Sequence, residues 1–294
     1  MEISKVGVVG CGLMGHGIAQ ICAQNGWDVV VREIDQGQLD KGMGKIEKQL
    51  AKAVKKGKLE QGDADAARGR ITATLDYGEL ADCDLVIEAI TEDLDKKLEM
   101  WEEVDGIVKD DAYLATNTSS LAVADQAEAT KRPERFLGLH FFNPPQVMPL
   151  LEVVKAEGTS DEAYDAGFAL GKELGKTTVA AGDNRGFIVN RLLVPYMLDA
   201  IRAYEAGVGS IEDIDRGMIA GASHPMGPLT LSDFVGLDTL ASIADVMADY
   251  YEEDRFSQPD TLRKLVDAGH YGRKSGRGFY DYSGEKPVAA DPGS

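Results

Sequence analysis

Cysteine and histidine are scarce in this chain, with three and four residues among 294. Cys11, Cys22 and Cys83 are odd in number, sit in apolar or glycine-rich contexts and show neither CxxC spacing nor histidines at zinc-ligand spacing. That pattern argues against a disulfide framework and a metal site, and it predicts reduced cysteines that pack inside an intracellular protein. Long apolar runs are missing too. No uncharged stretch approaches the ~18 residues of a membrane span, and MEISKVGVVG enters a strand pattern without a basic leader and apolar segment. Neither a membrane partner nor a targeting address is expected, so the expected location is the cytoplasm.

Positive charge is the third shortage. Lys and Arg number 31 against 50 Asp and Glu, giving a formal net charge of −19. The excess is −12 over residues 1–182 and −7 over residues 183–294, so it coats the molecule and is not a tail. Such a surface repels a phosphodiester backbone, which argues against nucleic acid as a partner. It suits a source living in high salt and an ordinary acidic enzyme alike. What is present is typical of a folded, water-soluble chain: 44% hydrophobic and 28% charged residues exclude disordered, collagen-like and low-complexity classes. At ~100–200 residues per domain, the length predicts two unequal domains.

The first half alternates short apolar runs with amphipathic stretches: VGVVG at 6–10, DVVVRE at 28–33, DLVIEAI at 84–90, YLATN at 113–117 and FLGLHFF at 136–142. This predicts an α/β domain over residues 1–182 with a doubly wound parallel sheet. Between the second and third runs, Leu39, Met43, Ile46, Leu50 and Val54 recur at spacings of three and four, which predicts a long helix ending at Lys56-Gly57. LLEVV at 150–154 and TTVAAG at 177–182 follow. From Asp183 onward the apolar residues recur at helical spacing without a strand-like run, so residues 183–294 are expected to form an all-helical domain. Within it, Ser210 with Asp213 three residues on reads as a capping box.

Gly10-Cys11-Gly12-Leu13-Met14-Gly15 follows the first strand directly and opens a helix through Ile18, Ala19 and Ile21. A GxGxxG string alone is weak, but strand, glycines and helix stand here in the order a dinucleotide site requires. The first glycine makes the tight turn, the second admits a pyrophosphate, and the helix N-terminus faces that anion. The second strand ends in Glu33, eighteen residues after Gly15, where a carboxylate would accept from the ribose hydroxyls and repel a 2′-phosphate. The expected cofactor is therefore NAD in preference to NADP, with Arg32 as the neighbouring cation that could tolerate NADP. The alternative is a glycine turn that only packs helix on strand.

A dehydrogenase acting on an alcohol needs a base near pH 7, and histidine has a suitable ordinary pKa. His16 sits at the glycine turn, His270 in a polar tail and His224 in a loop between helices. His140 ends the strand FLGLHFF, where open α/β sheets bind their ligands, and is the best-placed base. A histidine bonded to backbone would be the plain alternative. Glu152 favours the catalytic one, since a single carboxylate among Leu150, Leu151, Val153 and Val154 is costly to desolvate without a partner; the alternative is a glutamate facing solvent from an edge strand. Asn143-Pro144-Pro145 is a turn that can set the two strands side by side, and a His–Glu pair would fix the imidazole tautomer. Ser119 and Ser120 follow a strand end and would ordinarily be helix caps. Asn190 interrupts the apolar run FIVNRLLV, so its amide needs a backbone or substrate partner.

These residues resemble the short-chain 3-hydroxyacyl-CoA dehydrogenases, especially the bacterial 3-hydroxybutyryl-CoA type. The likeness covers nearly the entire chain: GCGLMGHGIAQ, VIEAITED, TNTSSL, GLHFFNPPQVMPLLEVV, GFIVNRLLVPY, GASHPMGPLTLSDFVGLDT and YGRKSGRGFYDY. The resemblance implies a Rossmann-type domain followed by a helical substrate and dimerisation domain, and hydride transfer between NAD and C3 of an (S)-3-hydroxyacyl-CoA. It implies that His140 is the general base, Glu152 its orienting partner, and Ser119 and Asn190 the polar clamp on the substrate. Gly10, Gly12, Leu13, Met14, Gly15 and Glu33 would hold NAD; Glu92, Lys97, Ser119 and Asn143 would line its nicotinamide side, and Lys56 would meet coenzyme A. The family usually has Asp where this chain has Glu33. A homodimer is implied as well. Seven lysines against one acid between residues 41 and 58 give that segment a local +6, which is either a solvated helix face or a surface that meets the phosphates of coenzyme A. Two other functions stay open at this point: a dehydrogenase of a free hydroxy acid, such as a sugar acid, on the same fold, and a catalytically silent dinucleotide-binding protein.

Overall fold

The computed structural model describes residues 3–290. The chain divides into two compact units, the first ending at Phe187 and the second beginning at Ile188.

The first unit runs β1 (Lys5–Val9), α1 (Gly15–Gln24), β2 (Asp28–Arg32), α2 (Gln36–Lys55), α3 (Gln61–Gly69), β3 (Ile71–Thr74) and β4 (Leu85–Glu88). It continues with α4 (Leu94–Asp105), β5 (Tyr113–Thr116), α5 (Val123–Ala127), β6 (Phe136–Phe141), β7 (Leu150–Lys155), α6 (Asp161–Glu173) and β8 (Thr177–Gly182). The strands form one sheet in the order β3-β2-β1-β4-β5-β6-β7-β8. β4, β5 and β6 are buried along their whole length, which is why they read as continuous apolar runs without alternation. The order reverses between β1 and β4, and the carboxyl ends of these two strands open the crevice where such sheets hold ligands. The sheet is parallel through β6, as expected, and then changes: β7 runs antiparallel to β6, and β8 parallel to β7.

Leu39, Met43, Ile46 and Leu50 are the buried stripe of α2. Asp35 caps that helix by accepting from the Gln38 N–H at 2.9 Å, and it ends beside Gly57 at φ +64°. Sequence periodicity leaves residues 58–83 unassigned, yet α3 and β3 lie there. β3 is a four-residue edge strand with a single fully buried side chain, Ile71, too short and too polar to announce itself.

The second unit contains α7 (Val189–Glu205), α8 (Ile211–Ala222), α9 (Pro228–Val235), α10 (Leu237–Tyr251) and α11 (Asp260–Asp267). Val194, Leu198, Ile201, Leu240, Ala244 and Phe279 lie in its core. Ser210 caps α8 by accepting from the Asp213 N–H at 3.1 Å. The unit is not wholly helical: β9 (Tyr280–Asp281) pairs with β10 (Val288–Ala289) in a short antiparallel ribbon. Two residues per strand carry no period that a sequence reading can detect. Among the described residues no helix is long and apolar enough to cross a membrane.

Candidate active site

The glycine turn between β1 and α1 has the geometry its residues require. Gly10 has φ +95°, and a Cβ there would meet the Ala89 carbonyl oxygen at 2.6 Å; one on Gly15 would lie 1.8 Å from the Gly10 oxygen. Only glycine lets the strand turn so tightly into the helix. A Cβ on Gly12 would meet nothing within 4 Å, so this glycine leaves an open cradle. The first turn of α1 has neither an acidic side chain nor a side-chain cap, which leaves its N–H groups and dipole available to an anion. Leu13 beside the cradle is 64% exposed.

Glu33, just past β2, is buried and accepts from the Cys11 N–H at 2.7 Å and from the Ile34 N–H at 2.8 Å. It therefore holds the glycine turn itself, while each carboxylate oxygen keeps a second lone pair for a hydroxyl donor. Arg32 stacks on Tyr77, its guanidinium carbon 3.6 Å from the ring centroid. The turn is braced from the other side by His16, whose Nδ1 lies 2.6 Å from the Gly12 carbonyl oxygen and whose Nε2 lies 3.0 Å from Gln49 Nε2. Burial pushes the His16 pKa down, in keeping with a neutral ring that donates to Gly12 and accepts from Gln49. Cys11 is buried and its thiol is pushed up to about 12 by burial, so it packs and does not react.

At the ends of β4 and β5 lies a charge network that the sequence shows only in part. Lys97 Nζ is 2.7 Å from both oxygens of Glu88 and 3.1 Å from Glu92, and Lys97 and Glu88 are essentially inaccessible. Thr116 Oγ1 donates to Glu88 at 2.6 Å, and the Ile90 N–H at 2.7 Å. Glu92 accepts from Thr118 Oγ1, from the N–H groups of Ser119 (2.8 Å) and Ser120 (3.0 Å), and from both serine hydroxyls. Burial alone would raise the Glu92 pKa, but Lys97 and these donors bring it down to about 2. Ser119 and Ser120 are thus not helix caps; the start of α5 is capped by the Asp183 carboxylate, which accepts from Val123 and Ala124 N–H at 2.8 Å. Lys97 itself faces inward. Glu88 escaped notice in the sequence, although an acid ending an apolar strand nine residues before a lysine was the available signal.

His140 and Glu152 occupy opposed positions of the β6–β7 ladder. His140 Nδ1 lies 2.6 Å from Glu152 Oε2, with both residues buried. A carboxylate accepts only, so this bond puts the ring proton on Nδ1 and leaves the lone pair on Nε2. The next residue, Phe141, donates its N–H to Asn117 Oδ1 at 2.9 Å, tying the end of β6 to the Thr118-Ser119 segment. Asn117 is a second residue that sequence reasoning missed. The loop after β6 carries Asn143, which is exposed, and is anchored by Lys176 through the carbonyl oxygens of Pro145 and Met148. It also abuts α1, since a Cβ on Gly17 would lie 2.8 Å from Pro145 Cδ. The glycine turn, the serine segment and the His–Glu pair are therefore brought together within the first unit. Lys56 caps the C-terminus of α2 and is exposed. Asn190 stands in the first turn of α7, in the second unit, and is half-buried.

The chain matches the family model described as 3-hydroxyacyl-CoA dehydrogenase, NAD binding domain, over residues 5–184, and the corresponding C-terminal domain over residues 186–282. It is 50% identical over 284 residues to the 3-hydroxybutyryl-CoA dehydrogenase of Mycobacterium tuberculosis, covering 95% of this chain and 99% of that protein. The crystal structure of Mycobacterium tuberculosis FadB2 is similar with a TM-score of 0.94 at 48% identity, covering 96% of this chain and all of that one. The (S)-3-hydroxybutyryl-CoA dehydrogenase of Ralstonia eutropha gives a TM-score of 0.92 at 41% identity, with the same coverage.

Proposed function

Because the chain belongs to the 3-hydroxyacyl-CoA dehydrogenase family, we propose that His140 is the base that moves the substrate hydroxyl proton and Glu152 the residue that orients it. The enzyme is an NAD-dependent dehydrogenase of short-chain (S)-3-hydroxyacyl-CoA, with 3-hydroxybutyryl-CoA and acetoacetyl-CoA as the pair that its relatives' names favour. The observation that carries this reading is the buried 2.6 Å bond between His140 Nδ1 and Glu152.

The residues at the glycine turn fit a dinucleotide: an open cradle at Gly12, a helix start without a side-chain cap, and a carboxylate at Glu33 with lone pairs to spare. Gly10, Gly12, Leu13, Met14 and Gly15 would hold its pyrophosphate and Glu33 its ribose, with Glu92, Ser119 and Asn143 on the nicotinamide side. Lys97 acts there through Glu92. Bound NAD supplies the hydride acceptor for the substrate C3. In the oxidative direction His140 Nε2 takes the proton from the C3 hydroxyl as the C3 hydrogen leaves with its electron pair, and Glu152 stabilises the imidazolium that results. In the reductive direction His140 returns that proton to the forming alkoxide. Ser119 and Asn190 hold the substrate oxygens; Glu92 fixes Ser119 through its N–H. Lys56 and the lysines of α2 meet the phosphates of coenzyme A.

The same reading takes the enzyme to be a cytoplasmic homodimer that pairs through its helical unit, where Leu192, Val208 and Phe234 are more than half exposed. The test of function is one NADH-oxidation assay on acetoacetyl-CoA, free acetoacetate and 3-oxo sugar acids. Activity at least 10²-fold higher in kcat/KM on the thioester is expected, since the coenzyme A handle contributes binding that a free acid lacks. Comparable values for a free acid would overturn the acyl-CoA assignment.

A further inference from the structure

Phe187, the last residue of the first unit, has φ +49°, directly after Gly186 at +78°. The Phe187 N–H donates to the Asn184 carbonyl at 2.8 Å and closes the turn. A left-handed backbone is strained for an aromatic L-residue, and glycine would adopt it freely. The side chain is nevertheless retained and buried, 5% exposed, in the core layer that includes Val123, Phe136, Val154 and Ala181. Its ring centroid lies 5.4 Å from that of His140, and Phe142 lies 4.6 Å from the same imidazole.

One hydrogen bond from Nδ1 to Glu152 fixes one end of the imidazole but lets the ring tilt about that axis, because the second side-chain torsion of histidine is broad. Two aromatic rings packed against it remove that freedom and exclude water. We propose that Phe187 is a positioning residue of the reaction: its ring, held in place by a strained backbone, sets the imidazole plane and so the direction of the His140 Nε2 lone pair. The proposal rests on the reading of His140 as the base.

The experiment compares Phe187→Leu, Phe187→Ala and Phe187→Gly with His140→Gln and the wild type, each as the full chain, in NADH-dependent reduction of acetoacetyl-CoA across pH. For all three Phe187 variants kcat should fall on the order of 10-fold or more through misorientation alone, while KM for NADH stays within about 2-fold, because Phe187 belongs to no dinucleotide-holding element. The kcat/KM pH profile should shift in all three Phe187 variants, because the ring that keeps water from the imidazole is gone, whereas loss of packing away from His140 would leave the profile in place. Phe187→Gly should melt above Phe187→Ala, since it releases the backbone strain. If Ala proves too unstable, the Leu and Gly variants decide. Wild-type kcat and an unshifted pH profile in them, with His140→Gln inactive, would overturn the proposal while leaving His140 as the base. More than a tenth of wild-type rate in His140→Gln would instead remove the base itself, and the role of Phe187 with it.

Discussion

His140 Nδ1 and Glu152 Oε2 are 2.6 Å apart because the two residues occupy one rung of the antiparallel ladder between β6 and β7. Neither long side chain has to search for the other, so the ordering cost of the pair is met by the sheet. His140→Gln should reduce turnover below a tenth of wild type while leaving NAD binding nearly intact, as read by quenching of bound NADH fluorescence. Glu152→Gln should lower kcat ~10²–10⁴-fold by loosening the imidazole and destabilising its charged form. A near wild-type Glu152→Gln would show that the pair is structural.

Glu33 holds the Cys11 N–H, and in the proposed function it also faces the ribose. NAD should therefore outperform NADP in kcat/KM. Glu33→Ala should narrow that gap and also weaken NAD, because the turn loses its brace. Equal rates with NADP in the wild type would mean that Arg32 leaves Tyr77 and outweighs the carboxylate.

Lys97→Met should be among the most destabilising single changes in the first unit. It strands Glu88, which is fully buried, and breaking a buried ion pair costs about 3–5 kcal/mol. Adding Glu88→Gln should recover part of that loss, a coupling readable from urea unfolding. An additive double mutant would contradict it.

Asp84 accepts from the N–H groups of Ser4 (2.7 Å) and Lys5 (2.9 Å), from Ser4 Oγ and from Lys109. Burial opposes its charge, yet Lys109 and these donors bring its pKa down to about 2. A folded-state value below the unfolded ~3.9 gives stability that is present above the unfolded pKa and lost as pH falls through about 2. Asp84→Asn should thus cost ~1–2 kcal/mol at neutral pH, and the difference from wild type should shrink as pH drops from about 4 toward 2. A pH-independent difference would show that geometry, not charge, is what the site uses.

Six of the seven lysines between residues 41 and 58 are exposed, and among the described residues none of the seven is ion-paired. KM for acetoacetyl-CoA should rise with ionic strength more than kcat falls. Lys56→Ala should raise that KM, with a smaller effect on an acetoacetyl thioester lacking the nucleotide. An equal effect on both thioesters would take Lys56 off the coenzyme A path.

The glycine turn, Glu33 and His140 stand out in the sequence because each lies at or beside a strand end, where hydrophobic pattern and chemistry coincide, and Glu152 because it is a lone carboxylate inside an apolar strand. Glu88, Asn117 and Phe187 do not. Glu88 reads as a polar residue closing a strand until Lys97, on the following helix, is folded against it. Asn117 acts through a hydrogen bond to another strand, which no local pattern encodes. Phe187 looks like one more apolar residue in FIVNRLLV, because a positive φ leaves no trace in composition unless glycine occupies it. β3 and α3 were missed because an edge strand with one buried side chain and a short alanine-rich helix carry little amphipathic signal.

The antiparallel return of β7 also sets where this chain can vary. Side chains alternate along a strand, so a slip of a single residue would bring Leu151 or Val153 opposite His140 and turn the carboxylate to the far face. A residue inserted in residues 143–149 leaves that address unchanged, because the ladder and not the connection fixes the register. Lengthening this loop is thus a route by which the surface beside α1 could be reshaped while His140 and Glu152 stay paired.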